Sequence, residues 1–430
     1  MVALWVRLRA LVVALALVCL VAGAGAQPGP TSPTPSTTAA ESTPPALSKE
    51  QKEAVLRALE EVVTKEAFVP GVDLAKWPEF LAKQREAIDA AEKENDFGRA
   101  INLALRDFGI SHIRFASPRS STMRRTTSVI GIGVLTRPST SGLVVSYVFE
   151  KSPAFESGIK VGETITQVDG KLPDGPTALH GENGSEAVLT VRGTDAAERE
   201  VRLKRAPHSL ALPNTVKWVG DDAAVVKIHS FSRGYERSGI EKLIAEASRA
   251  KYLVLDLRSN GGGAVNNLNH LLSLLLPPDS EVGTFVNRRT SERYAEANGG
   301  KVETDPAVIA KVTTNRFKTR RNPTVAPFAG KIAVLINRGS ASASEICAAA
   351  LREHLKSPVV GSRSAGAVLA SVYRRLPHGY ELQYPISDYV TRDGVRLEKN
   401  PIVPDVVVTE PATEEKDPAV EQALAKLRQG

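Results

Sequence analysis

Two short runs, Tyr252-Leu-Val-Leu-Asp-Leu257 and Lys331-Ile-Ala-Val-Leu-Ile336, are apolar at nearly every position, and each gives way at once to small and polar residues. A short continuous apolar run bounded by turn signals reads as a buried strand. Around them the pattern alternates: Ala223-Ala-Val-Val-Lys-Ile228 reads as another strand, Ser238 to Ala250 as a helix, and 358–361 as a further strand. Such alternation favours a layered α/β core over residues 207–410.

The segments after the two runs carry the candidate chemistry. Asn337-Arg-Gly-Ser-Ala-Ser-Ala-Ser-Glu345 leads into Ile346-Cys-Ala-Ala-Ala-Leu351, so the layout is strand, tight turn, helix. A serine at such a junction sits at the positive end of the helix dipole beside free backbone N–H groups, which an acyl-transfer oxyanion requires. Ser342-x-x-Glu345 is also a capping box, and on local sequence alone the cap is the favoured reading. After the other run comes Arg258-Ser-Asn-Gly-Gly-Gly263, whose glycines allow close backbone approach and suit an anion or oxyanion nest. No Gly-Lys-Ser/Thr follows, so this is not a nucleotide-binding P-loop.

The first residues set the expected compartment. Arg7 and Arg9 precede the apolar run Leu11 to Ala22, and Ala24-Gly25-Ala26 supplies the small residues of a cleavage site. Residues 1–26 therefore read as a signal peptide, removed before Gln27, with no stable membrane span after cleavage. The expectation is an exported protein, in the bacterial periplasm or secreted. Cys19 lies in the removed part, which leaves Cys347 alone and allows no intramolecular disulfide. Residues 27–46, rich in Pro, Ser and Thr, read as a flexible linker. The formal net charge is +7. Acidic and basic residues are interleaved without a coherent basic stripe, which argues against nucleic acid as a partner.

Residues 47–116 read as helical, with Val55, Leu56, Leu59, Val62 and Val63 at helical spacing and a second amphipathic stretch from Phe80 through Ile88 to Leu105. The segment closes on Ser111-His112, and local sequence ranks His112 no higher than the other six histidines. Over 127–206 comes the order Ile130-Gly-Ile-Gly133, the strand Leu143–Val148, a short helix in Ser152–Gly158, and strand and turn in Val161–Gly170. This order resembles a PDZ domain of exported bacterial proteases. The resemblance implies capture of a peptide C-terminus by strand addition, its carboxylate held by N–H groups of Ile130, Gly131, Ile132 and Gly133. Within the tail 411–430, Asp417 to Arg428 reads as an amphipathic helix, either docked on the core or offered to a partner.

Taken in order, Asp256-Leu-Arg-Ser-Asn-Gly-Gly-Gly263, Ser340-Ala-Ser-Ala-Ser-Glu345 and Pro404-Asp405 before Val406-Val-Val408 resemble the tail-specific or carboxyl-terminal processing peptidase superfamily of serine proteases. The likeness spans nearly all of residues 47–428. It implies a multidomain α+β protein: an N-terminal helical segment, a PDZ-like β domain and a layered α/β (ClpP/crotonase-like) catalytic core. It also implies Ser342 as nucleophile. The Ser–Lys dyad branch carries a lysine and, four residues on, a glutamine; by family spacing these fall on Ala367 and Ser371, which excludes that mechanism. The segment Gly361–Ser371 is instead similar to the tricorn protease branch. That likeness implies His112 as base, Ser111 and Glu398 completing a tetrad, and backbone N–H groups of Gly262 or Gly263 and of Ala343 holding the oxyanion.

The expectation is thus a serine endopeptidase acting on unfolded or C-terminally recognised polypeptides, with no metal or organic cofactor. The alternative is a catalytically inactive PDZ-containing peptide-binding scaffold. A third reading, a binder of apolar small molecules, rests on the likeness of the eye's retinoid-binding proteins to the same fold, and nothing in the sequence supports retinoids. Oligomeric state is not legible.

Overall fold

The computed structural model describes residues 46–125, 128–209, 211–413 and 416–429, so the signal-peptide reading and all but the last residue of the linker lie outside the described residues. Residues 46–430 form one compact unit. Its centre is a six-stranded sheet in the order Val406–Val407, Val359–Gly361, Lys331–Ile336, Tyr252–Asp256, Ala223–Lys227, Thr215–Val219. Every pairing is parallel except the last. A parallel sheet needs cover on both faces, and that is why its strands are continuously apolar.

Alternate residues of each strand face opposite layers. Leu253, Leu255, Val334 and Ile336 pack into the cluster with the helices Arg237–Ala247, Val265–Ser273 and Ala343–Leu355. Val254, Ala333, Leu335 and Val360 pack on the other side against Val420, Leu424 and Leu427 of the terminal helix Pro418–Gln429. Each such leucine or valine contributes about 1.5–3 kcal/mol when removed from water. The terminal helix is therefore docked on the core and covers the sheet's second face.

A second sheet, invisible to the sequence patterns, joins the N-terminal segment to this core. Its order is Arg114–Ala116, Glu381–Thr391, Glu281–Asn287, Phe317–Lys318, with Ala370–Arg375 also paired to the long strand. Arg114, Phe115 and Ala116 pair antiparallel with Gln383, Leu382 and Glu381. Phe115 stacks on Tyr380 at 5.0 Å, and both belong to the hydrophobic cluster that holds Val55, Leu59, Trp77, Phe97 and Ile101. The N-terminal helices thus share a core with the 376–384 region, which fixes the residues just before Arg114.

The amphipathic stretch from Phe80 to Leu105 is not one helix. It is broken into Trp77–Ala82, Arg85–Ala90 and Glu94–Phe108. The buried ammonium of Lys52 explains the second break, because it donates to the carbonyls of Ile88, Asp89 and Ala91. A cation bonded to the last carbonyls of a helix stabilises its end there. Residues 128–209 hold a five-stranded antiparallel sheet running from Val134–Ser139 to Glu198–Lys204 around Leu143, Ile165, Leu189 and Val191.

Candidate active site

Three loops leave the C-terminal ends of neighbouring parallel strands: 257–263, 337–342 and 362–368. This is the edge where open α/β sheets place their sites. The loops are laced together. Ala341 N–H donates to Asn260 O at 3.1 Å, Ala365 N–H to Ser340 O at 3.0 Å, and Ser342 N–H to Ala367 O at 2.9 Å.

The lacing separates the three alternating serines. Ser340 and Ser344 are wholly buried, and their hydroxyls donate to Leu257 O and Asn260 O, both at 2.8 Å. Ser342 remains half-buried and lines a cleft of about 490 Å³ with His112, Gly261 to Gly263, Ala343, Phe285, Ile346 and Leu369. Its backbone sits at φ 57, ψ −118, a conformation that L-residues rarely adopt. Such strain costs of order 1–3 kcal/mol and persists only where the surroundings enforce it. Ser342→Gly is accordingly expected to unfold at higher denaturant than Ser342→Ala, by about 1 kcal/mol in stability. Equal midpoints would mean that the turn is not strained.

Gly262 and Gly263 meet this elbow at close range. A β-carbon on Gly262 would lie 2.8 Å from Ser342 Cβ, and one on Gly263 would lie 2.4 Å from the Phe231 carbonyl carbon. Only glycine fits either position, and both have positive φ. The two differ in what their N–H groups do. Gly262 N–H is taken by Asn260 Oδ1 at 2.9 Å, which removes it as an oxyanion donor. Among the described residues, the N–H groups of Gly263 and Ala343 have no intramolecular partner, and Ala343 opens the helix Ala343–Leu355.

Ser111 and His112 follow the helix Glu94–Phe108 and immediately precede the docked strand Arg114–Ala116. The Ser111 hydroxyl donates to Glu398 Oε2 at 2.9 Å, and Ser111 Oγ also lies 2.9 Å from His112 Nδ1. A hydroxyl has one proton, so Ser111 must accept from Nδ1–H. The neutral ring then keeps its lone pair on Nε2. Burial pulls the His112 pKa down from 6.5 to about 4, so the ring is neutral at pH 7. Glu398 is itself buried and also accepts Val368 N–H at 2.8 Å. Two residues earlier, Arg396 pairs with the wholly buried Asp388 at 2.6 Å and ties down the turn that delivers Glu398. His112 and Ser342 face the same cleft without a direct hydrogen bond.

Sequence reasoning gave Glu345 only a capping role. It is wholly buried, and its carboxylate accepts Ser342 N–H, Gly366 N–H, Ala367 N–H and the Ser364 hydroxyl. Burial pushes its carboxyl pKa up, while the four donors pull it down. Glu345 thus holds the nucleophile's amide and the loop whose next residue, Val368, bonds Glu398. The signal available in the sequence was the glycine- and alanine-rich loop 364–367, whose N–H groups needed an acceptor.

Ile130 and Gly131 lie in the strand Ser128–Gly131, paired with Ala206–Ser209, so only Ile132 and Gly133 form the expected loop. Ile132 is buried, its carbonyl accepts Ala154 N–H at 2.8 Å, and Gly133 O accepts Ser152 Oγ at 3.1 Å. Ala367 and Ser371, the positions expected for lysine and glutamine in a dyad enzyme, lie on the site's loop and in the cleft wall. No lysine lines the cleft among the described residues.

A strained serine at a helix start, two free amides and a neutral histidine in one cleft are the parts of a serine hydrolase. Residues 222–408 match the model of Peptidase family S41. A CtpA-like serine protease of Staphylococcus haemolyticus is 26% identical over 292 residues, which cover 66% of this chain and 53% of that protein. The chain spans about half the length of the curated relatives it matches. Among solved structures, an S41 protease candidate from Bacteroides fragilis aligns with TM-score 0.53 at 16% identity, covering 77% of this chain and 90% of that one. Tricorn protease aligns with TM-score 0.50 at 18% identity, covering 88% of this chain and 37% of that one. Both structural likenesses speak to the fold alone. The segment that matches this family model carries Ser342.

Proposed function

We propose that the chain is an exported serine endopeptidase that cuts unfolded or C-terminally recognised polypeptides through a Ser342–His112–Ser111–Glu398 relay. The observation that carries this reading is the hydrogen-bond chain Glu398–Ser111–His112, which leaves a neutral imidazole with its lone pair free in the cleft of Ser342. Ser342 Oγ attacks the scissile carbonyl and His112 Nε2 takes its proton, then returns it to the leaving amine. The Ser111 hydroxyl, polarised by Glu398, steadies the imidazolium formed between. Gly263 N–H and Ala343 N–H hold the oxyanion, each worth about 2.7–4 kcal/mol. His112 and Ser342 close to hydrogen-bond distance when substrate fills the cleft, as apo sites commonly require. The 128–209 module is read as a PDZ domain whose terminal strand Val134–Ser139 accepts a peptide strand, with Ile132 and Gly133 N–H groups at its mouth.

A fluorophosphonate probe tests the reading: it should label Ser342, located by peptide mapping. The labelling rate needs neutral His112. Because the pKa falls from 6.5 to about 4, the acid limb of the rate should move below neutrality, and the rate should hold down to about pH 5. A midpoint at 6.5 would show that the working histidine is solvated. If the protein takes no label and leaves unfolded casein intact, it is a non-catalytic peptide-binding scaffold.

A further inference from the structure

Beside the catalytic cleft lies a second one of about 480 Å³, and the two share Tyr373 and Gln383 in their walls. The first contains no Asp, Glu, Lys or Arg. The second is lined by Arg99, Arg114, Arg124 and Arg233 against one carboxylate, Glu94. Glu381 pairs with Arg124, and Arg99 and Arg114 remain to focus positive potential on whatever enters this concave wall. Three of the four are placed by three elements, Glu94–Phe108, Arg114–Ala116 and Pro118–Arg125. Arg99 projects from the helix Glu94–Phe108, and Arg114 stands on the docked strand opposite Gln383. Arg124 is held by the buried carboxylate of Glu381 and lies 3.6 Å over the Tyr373 ring. Arg99 and Arg114 are exposed, and among the described residues Arg99 pairs with Asp96 at 3.9 Å.

Resting on the peptidase reading, we propose that this cleft is a subsite for an acidic side chain of the substrate peptide, so that cleavage is directed to bonds lying near an aspartate or glutamate. Arginine presents its donors as a planar fork that matches a carboxylate in two parallel hydrogen bonds. An extended peptide rises about 3.3 Å per residue, so a short segment leaving the Ser342 cleft past Tyr373 and Gln383 enters the basic cleft directly. The backbone would be read beside Ser342 and the charge beside Arg99 and Arg114.

The test is binding to full-length Ser342→Ala protein, followed by fluorescence anisotropy with unstructured decapeptides of Ala, Gly, Ser and Leu. Aspartate replaces each position in turn, and every peptide is made with a free and an amidated C-terminus. One register of aspartate should tighten binding about tenfold at low salt, with the gain shrinking as salt rises. A gain that comes from the free terminus and from no aspartate register overturns the acidic side-chain subsite. Arg99→Gln/Arg114→Gln, checked for an unchanged melting temperature, should erase the preference. The control Lys160→Gln/Lys171→Gln loses the same charge outside the cleft and should keep it. Equal affinity for acidic and neutral peptides, or a preference surviving in the arginine double variant, overturns the proposal. If wild type cuts the neutral decapeptide and no acid preference exists, only the subsite fails. If acidic peptides bind selectively and nothing is cut, the subsite stands and the peptidase reading falls.

Discussion

Ser342→Ala, His112→Ala and the double variant are each expected to lower kcat/KM by about the same factor, roughly a million-fold. The equality follows from the site's construction. A serine hydroxyl is a weak nucleophile without a base, and in the proposed relay the imidazole acts by taking the Ser342 proton. On that proposal, removing either would remove the one step both perform, and the second removal would have nothing left to cost. The rate that remains over water would come from the Gly263 and Ala343 amides and from substrate binding. Ser111→Ala acts differently, because it deletes the hydroxyl between Glu398 and His112 but leaves the imidazole in place. Its loss should therefore be smaller. The decisive measurement is kcat/KM of the purified variants on one fluorogenic peptide. Full activity in His112→Ala would leave Ser342 with some other base, and strictly additive losses would show that the two residues do not act as a unit.

The sheet that carries Ser342 was readable because a strand buried on both faces must be apolar at nearly every position, and 223–227, 252–256, 331–336 and 359–361 are. The second sheet was not readable. Its strands Glu281–Asn287 and Glu381–Thr391 mix buried Thr284, Asp388 and Thr391 with apolar residues, and that mixture blurs the alternation. Yet this sheet brings Ser111 and His112 to Glu398. Arg114–Ala116 docks at the start of the 381–391 strand just after His112, and Glu398 follows the strand's far end. No local pattern links residues 111 and 398, so their meeting could enter only through a family likeness. Ser342 was ambiguous for a different reason. A capping box and a nucleophile elbow share one local sequence, and what separates them is the burial of Ser340 and Ser344 by a neighbouring loop.

Glu345→Gln is expected to lower stability by about 3 kcal/mol and kcat/KM by about a hundredfold or more. Each carboxylate oxygen now accepts two donors: Oε1 from Ser364 and Gly366, Oε2 from Ala367 and Ser342. An amide keeps one oxygen and turns the other into a donor. Whichever way it flips, the backbone N–H of Gly366 or of Ala367 faces an NH2 group, and a buried donor without a partner costs about 1–3 kcal/mol. The kinetic loss follows from where the loop leads. If 364–367 relaxes, Val368 N–H no longer holds Glu398, and Ser342 loses the bond from its own amide to Glu345 at the strained elbow. A displacement near 1 Å at the reacting atoms is enough for a loss of that size. Hydrogen exchange localises the effect: amides 366–368 should exchange faster while the buried strand 331–336 stays protected. A Gln variant that melts with wild type and keeps these amides protected would return Glu345 to the ordinary helix cap that Ser342-x-x-Glu345 suggests on its face.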